Sequence, residues 1–191
     1  SGIMDTKFVH LHTHSHYSLL DGLSKIDEMV ALAKKYDMPA LGLTDHGNMH
    51  GAIEFYKTCK KNGIKPIIGL EAYVTPGSRH EKRAGIDTTR FHLTLLAKNN
   101  TGYKNLIKLV TYSYLEGYYY KPRIDKELMR KYSEGLICLS GCFGGELSRA
   151  LRAGNTEEAE RVIAEHQDIY GKENYFLEVM NHPGVPGIEE V

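Results

Sequence analysis

Four histidines at alternate positions, His10, His12, His14 and His16, open a chain of 191 residues. In extended backbone, residues two apart point to the same side, so the imidazoles of His12 and His14 can face one ion. The pair alone is equally compatible with histidines of a polar surface loop. His10 shares the alternation but could simply fill the interior side of a strand, and His16 is the expected bystander. Asp45-His46-Gly47 adds a carboxylate and an imidazole followed by a permissive glycine. Glu71 lies inside the apolar run from Ile67 to Val74, where an isolated buried charge is costly. A carboxylate there calls for a cation or an ion pair, and a metal is the favoured reading.

The remaining donors are softer. Asp21, before Gly22, could be only a turn residue. Cys142, set between glycines in 140–145, is either a thiolate ligand or inert packing. His92 opens a strand instead of closing one, so spacing alone does not place it with the others. His166 falls on the apolar face of a helix and reads as a core histidine. His50, His80 and His182 are left unassigned. One tetrahedral ion needs only four ligands, so six or seven candidates imply two or three. Histidine and carboxylate donors accept zinc, manganese or iron. Such clusters serve phosphoester hydrolysis, one ion activating water while the others clamp the phosphate.

These donors must be positioned by an alternation of short apolar runs and amphipathic stretches. Strands are expected at residues 8–12, 39–44, 67–74, 91–97, 135–139 and 175–180. Helices are expected between them. One is capped by Ser24 with Asp27 at the capping-box position, one by Asn48 and one by Asn100. A short one begins at Asp125, one runs from Glu146 to Ala153, and one starts at Asn155 or Thr156. Residues 75–90 read as a loop or ragged hairpin. The alternation predicts parallel strands with right-handed crossovers, in a barrel or an open sheet. In such folds the loops leaving the C-terminal strand ends carry the site, which is where His12-Thr13-His14, Asp45-His46 and Cys142 fall.

Composition bounds the possibilities. The length suits one domain or most of one. No run of about 18 apolar residues is present, so no membrane-spanning helix is expected. Lys+Arg and Asp+Glu balance at 24 each, which argues against a principal grip on duplex DNA. Three cysteines form no disulfide framework and suggest a reducing compartment. The N-terminus lacks the apolar core of a signal peptide. Met4 is the expected natural start, with residues 1–3 a remnant of expression.

In order along the chain, His12-Thr13-His14, Asp21, Thr44-Asp45-His46-Gly47, Gly69-Leu70-Glu71 and 92–97 resemble the successive motifs of the PHP (polymerase and histidinol phosphatase) superfamily. The stretches 17–22, 42–49, 65–69, 99–106 and 119–125 are similar to the PHP domains of bacterial DNA polymerase III alpha subunits. The resemblance spans residues 8–180. It implies an α/β fold, a distorted seven-stranded TIM-like β/α barrel with up to three divalent metals at its C-terminal face. It also implies His12, His14, Asp21, His46, Glu71, His92 and Cys142 as ligands, with Asp45 orienting His46. His12, His14, Asp45, His46 and Glu71 would then be the catalytic set, with Lys121 or Arg123 steadying phosphate. The family's last motif, Asp-x-His, has no counterpart, since Asn181-His182 lacks the aspartate. Residues 4–191 are therefore expected to be the N-terminal part of a PHP domain ending before the last strand.

The parent implied by the resemblance is a cytoplasmic bacterial DNA-directed DNA polymerase. Its partners would be the rest of the alpha chain, other replisome subunits and, through the parent enzyme, DNA, with no membrane. The domain itself would be a phosphoesterase, trimming 3′ ends or hydrolysing pyrophosphate. Two alternatives stand beside this: a metal-stabilised scaffold without catalysis, and a free-standing PHP phosphatase.

Overall fold

The computed structural model describes residues 7–19 and 22–179. The chain divides into a first unit, Ser1–Leu70, and a second, Glu71–Val191.

In the first unit, α1 (Ile26–Lys35) and α2 (Ala52–Lys61) pack beside β1 (Ala40–Leu43), which pairs in parallel with the first residues of β2 (Lys65–Val74). Ile26, Val30 and Ala33 recur at helical spacing and bury their side of α1 with Leu41, Leu43, Phe55 and Cys59. Gly63, at φ +71°, closes α2 with a left-handed residue that a side chain would strain. The expected strand over 8–12 reduces to a single parallel bridge, His10 to Leu41. Backbone pairing slips by one residue instead of running on as a ladder: the Gly42 amide donates to the His10 carbonyl at 2.7 Å, but the Thr44 amide donates to the Thr13 carbonyl at 2.9 Å. Close approach is possible because residue 42 is glycine: a Cβ there would stand 2.5 Å from the Leu11 carbonyl oxygen.

The capping box also differs. Ser24 spends its carbonyl on the His16 amide, and Lys25 is the N-cap, without a side-chain bond. Asn48 braces the turn ahead of α2, donating to the Tyr17 carbonyl at 2.7 Å, while Gly51 is the cap.

In the second unit, the end of β2 pairs in parallel with β4 (Arg123–Ile124), a two-residue strand absent from the sequence expectation. β3 (Phe91–Ala97) pairs with β5 (Leu136–Leu139), and β5 pairs in parallel with β6 (Tyr175–Phe176). The β3–β5 pair is antiparallel, which corrects the all-parallel expectation. No helix joins β2 to β3, residues 75–90 being turns and irregular backbone. Without a helical crossover, nothing obliges β3 to share the direction of β5. Six strands pair among the described residues, in an open order; a seventh is not among them.

α3 (Asn100–Leu115) is capped by Asn99 rather than by its neighbour, its side chain accepting from the Gly102 amide at 2.9 Å. α4 (Lys126–Lys131), α5 (Glu146–Arg152) and α6 (Thr156–Tyr170) follow. Asp125 caps α4, Asn155 caps α6, and a 3-10 turn, Lys172–Asn174, precedes β6. Gly102 fits only as glycine: a Cβ would stand 1.9 Å from the Gly135 carbonyl oxygen. Gly102→Ala is expected to cost about 1–3 kcal/mol through overpacking, read as a lower urea midpoint at unchanged slope.

Candidate metal centre

The first unit gathers imidazoles. The His14 ring lies 5.1 Å from that of His12 and 4.3 Å from that of His46. His12 and His14 are half-buried and His46 is buried. Three imidazoles gathered this closely offer several nitrogen donors to one region, and imidazole nitrogen is a common ligand of divalent metal.

Short polar residues set these positions. The Asp45 carboxylate accepts from the Ser15 amide at 2.6 Å and the Ser15 hydroxyl at 2.7 Å, tying the histidine run to the end of β1. The His46 amide donates to the Ser18 hydroxyl at 3.0 Å. Burial pushes the Asp45 carboxyl above its usual value, opposed by the Ser15 hydrogen bonds and by His14 and His16. The contacts seen for Asp45 thus fix His14-Ser15-His16. Ser15 and Ser18 escaped the sequence reading. The only signal for Ser15 was a small hydroxyl between two histidines, and Ser18, between Tyr17 and Leu19, gave none.

In the second unit, His92 Nδ1 lies 3.1 Å from Glu71 Oε1, with the carboxylate 2% exposed. The Tyr73 ring meets the edge of His92 at 5.4 Å between centroids. The antiparallel direction of β3 explains how a residue opening a strand reaches this position. The start of β3 lies beside the end of β5, and the His92 amide donates to the Gly144 carbonyl at 3.0 Å. Cys142, half-buried, belongs to that same glycine loop. A Cβ on Gly144 would sit 3.1 Å from His92 Nδ1, so small residues there leave the ring its room.

Other expectations separate from the site. His10 is exposed, edge-on to Phe8 at 4.6 Å, and fills no interior. His16 is exposed against Tyr17. His166 is a core histidine, 2% exposed, with Nδ1 at 2.7 Å from the Val162 carbonyl and its ring stacked on Tyr175. His50 and His80 are exposed. Asp21 and His182 lie outside the described residues.

The phosphate role expected of Arg123 is corrected. Its guanidinium is fully buried and donates to the carbonyls of Gly117 (2.8 Å), Asp87 (3.1 Å), Arg79 and Glu81 (both 3.0 Å). Four of its five N–H groups are spent on backbone. Lys121 is half-buried, with its ammonium 6.0 Å from the centre of the Tyr73 ring.

A mixed α/β fold with imidazole and carboxylate donors following its strands is that of a PHP domain. The PHP domain family matches residues 10–182, and the chain belongs to it. Its relatives narrow the comparison. The chain is 51% identical over 178 residues to DNA polymerase III subunit alpha of Borreliella burgdorferi, and 47% identical over 189 residues to that of Thermus aquaticus. These matches cover 93% and 97% of this chain but only 15% of each relative, so the chain spans about a seventh of their length. A solved structure from Bifidobacterium adolescentis, named as a metal-dependent phosphoesterase, shares the fold. It superposes with a TM-score of 0.57 over 97% of this chain and 81% of its own, at 12% identity. No helix among the described residues is long and apolar enough to cross a membrane.

Proposed function

We propose that this chain is the PHP portion of a bacterial DNA polymerase III alpha subunit and that its strand-end donors form a phosphoesterase-type centre for two or three divalent metals. The observation that carries this reading is the Glu71 carboxylate, 2% exposed and set against His92. A donor pair of that kind belongs in a core only if a cation or a proton offsets its charge. The imidazole cluster of His12, His14 and His46 supplies nitrogen donors. Asp21 and Cys142 complete the proposed ligand set, as the family pattern implies.

Divalent metal held by these groups would supply Lewis acidity and an activated water. The chain's own part is to orient. Ser15 and Asp45 fix the histidine run, and the reversed β3 delivers His92 to Glu71. Lys121, beside Tyr73, is the cation proposed to meet a phosphate. The substrate proposed is a phosphodiester 3′ end or pyrophosphate. Polymerase and replisome partners, and a cytoplasmic location, are proposed on the likeness to alpha subunits.

The test is hydrolysis of bis-(p-nitrophenyl) phosphate by the chain reconstituted with manganese or zinc, with bound metal measured in parallel. Turnover abolished by chelator, and reduced at least about 100-fold in His14→Ala, is the expected result. A chain that holds two or more ions and turns over nothing would overturn catalysis and leave the metals a structural role.

A further inference from the structure

α3 presents an outer face that the metal centre does not use. Its sequence contains two lysines, Lys104 and Lys108, and no acidic residue. Ile107, Tyr114 and Leu115 are exposed on it, Leu115 at 75%, and Tyr118 follows at 51%. The aromatic rings are ordered. Tyr112 stacks on Tyr132 with centroids 5.8 Å apart and planes inclined by 20°. Tyr114 lies 6.1 Å from Tyr118. The Lys131 ammonium sits 5.5 Å from the centre of the Tyr132 ring, and Lys108 stands one helical turn before Tyr112. Lys104, Lys108 and Lys131 form no ion pair among the described residues. Tyr118 is held from below, because the preceding Gly117 carbonyl is fixed by the buried Arg123.

Stacked or paired tyrosines flanked by unpaired lysines suit one kind of occupant best. Protein interfaces deplete lysine from their centres. Single-stranded nucleic acid instead combines a sequence-tolerant π-face with a phosphate for each nearby cation. The net charge of zero is no obstacle, since α3 itself carries no acidic residue and, of its acidic neighbours, Glu116 is paired with Arg79, leaving Glu134 exposed beside it.

We propose that the outer face of α3, together with Tyr132 and Tyr118, binds single-stranded nucleic acid, its bases stacking on the tyrosines and its phosphates meeting Lys104, Lys108 and Lys131. The inference stands apart from the metal centre, whose residues it does not share.

Fluorescence anisotropy of a labelled oligothymidylate, titrated with the chain over a series of salt concentrations, tests it. Binding that tightens as salt falls is expected. The double variant Tyr112→Ala/Tyr132→Ala should weaken it about tenfold or more. Lys104→Gln/Lys108→Gln should flatten the dependence of log affinity on log salt by roughly 1.4, about 0.7 for each phosphate no longer neutralised. Tyr118→Ala and Lys131→Gln, on the same face, decide the matter if either double variant melts early. Absence of binding at low salt, equal affinity in all variants, or equal binding of duplex would overturn the proposal. A face built for a protein partner would give the first of these.

Discussion

Glu71→Gln is expected to release metal from the chain and to raise its metal dissociation constant at least about 100-fold. Removing a group that merely orients a ligand costs 10–100-fold, so removing a charged ligand should cost no less. Glutamine keeps the shape and volume of the side chain within β2, so packing around Leu70, Ala72 and Tyr73 should survive. What it removes is the negative charge facing His92 Nδ1 at 3.1 Å. Metal content by plasma mass spectrometry gives the first readout and thermal melting the second. A metal present at a hundred times its dissociation constant stabilises a fold by about 2.7 kcal/mol. For a chain of this size that is roughly 5–10 °C. The unaltered protein should therefore melt earlier after chelation by about that amount, whereas the variant should not respond. If Glu71 and His92 formed only an ion pair, the variant would keep its metal and its response to chelator, and the metal assignment of Glu71 would fall.

Which residues could serve as donors was readable in the sequence, because donor chemistry depends on residue type. A carboxylate within Ile67–Val74 and imidazoles at alternate positions announce themselves without coordinates. Strand direction was not readable in the same way. His92 entered the expected ligand set through the family resemblance alone, since a residue opening a strand of a parallel fold points away from the site. Only the antiparallel pairing of Thr94 with Leu139 shows why it belongs near the loop after β5. Local hydrophobic pattern carries no sign of direction, and the missing helix in 75–90 was the one clue to it. Boundaries failed for a related reason. Asn99 and Asn100 are chemically equal candidates for a cap, and only backbone geometry selects Asn99. The alternation over 8–12 is genuine, yet the pairing slips by one residue between the Gly42–His10 and Thr44–Thr13 backbone bonds, which breaks the ladder that would have made it a strand.

Arg123 was misread because a cation beside a tyrosine-rich loop looks the same in sequence whether it faces phosphate or protein. Its acceptors Arg79, Glu81 and Asp87 lie between 36 and 44 residues earlier in the chain, out of reach of any local pattern.

Arg123→Ala is accordingly expected to destabilise the chain by about 3–5 kcal/mol, lowering the melting temperature by roughly 6–20 °C. The guanidinium is fully buried and gathers the 79–87 segment and Gly117 around one planar donor group. Deleting it strands four carbonyls at a buried position and adds a cavity. Its neighbour Arg79 worsens the effect. Arg79 binds Asp125 at 3.1 Å and Glu116 at 2.6 Å, so the same segment holds a second buried cation whose partners depend on the loop staying in place. Arg123→Lys should recover only part of the loss, because a single ammonium cannot span acceptors arranged for a planar fork. The phosphate reading makes the opposite forecast: a rise in KM for a phosphodiester with an unchanged melt. A melting temperature within a degree or two of the unaltered protein in Arg123→Ala would return the residue to the substrate. A large fall, partly restored by lysine, would fix it as the pin of the segment that joins Glu71 to His92.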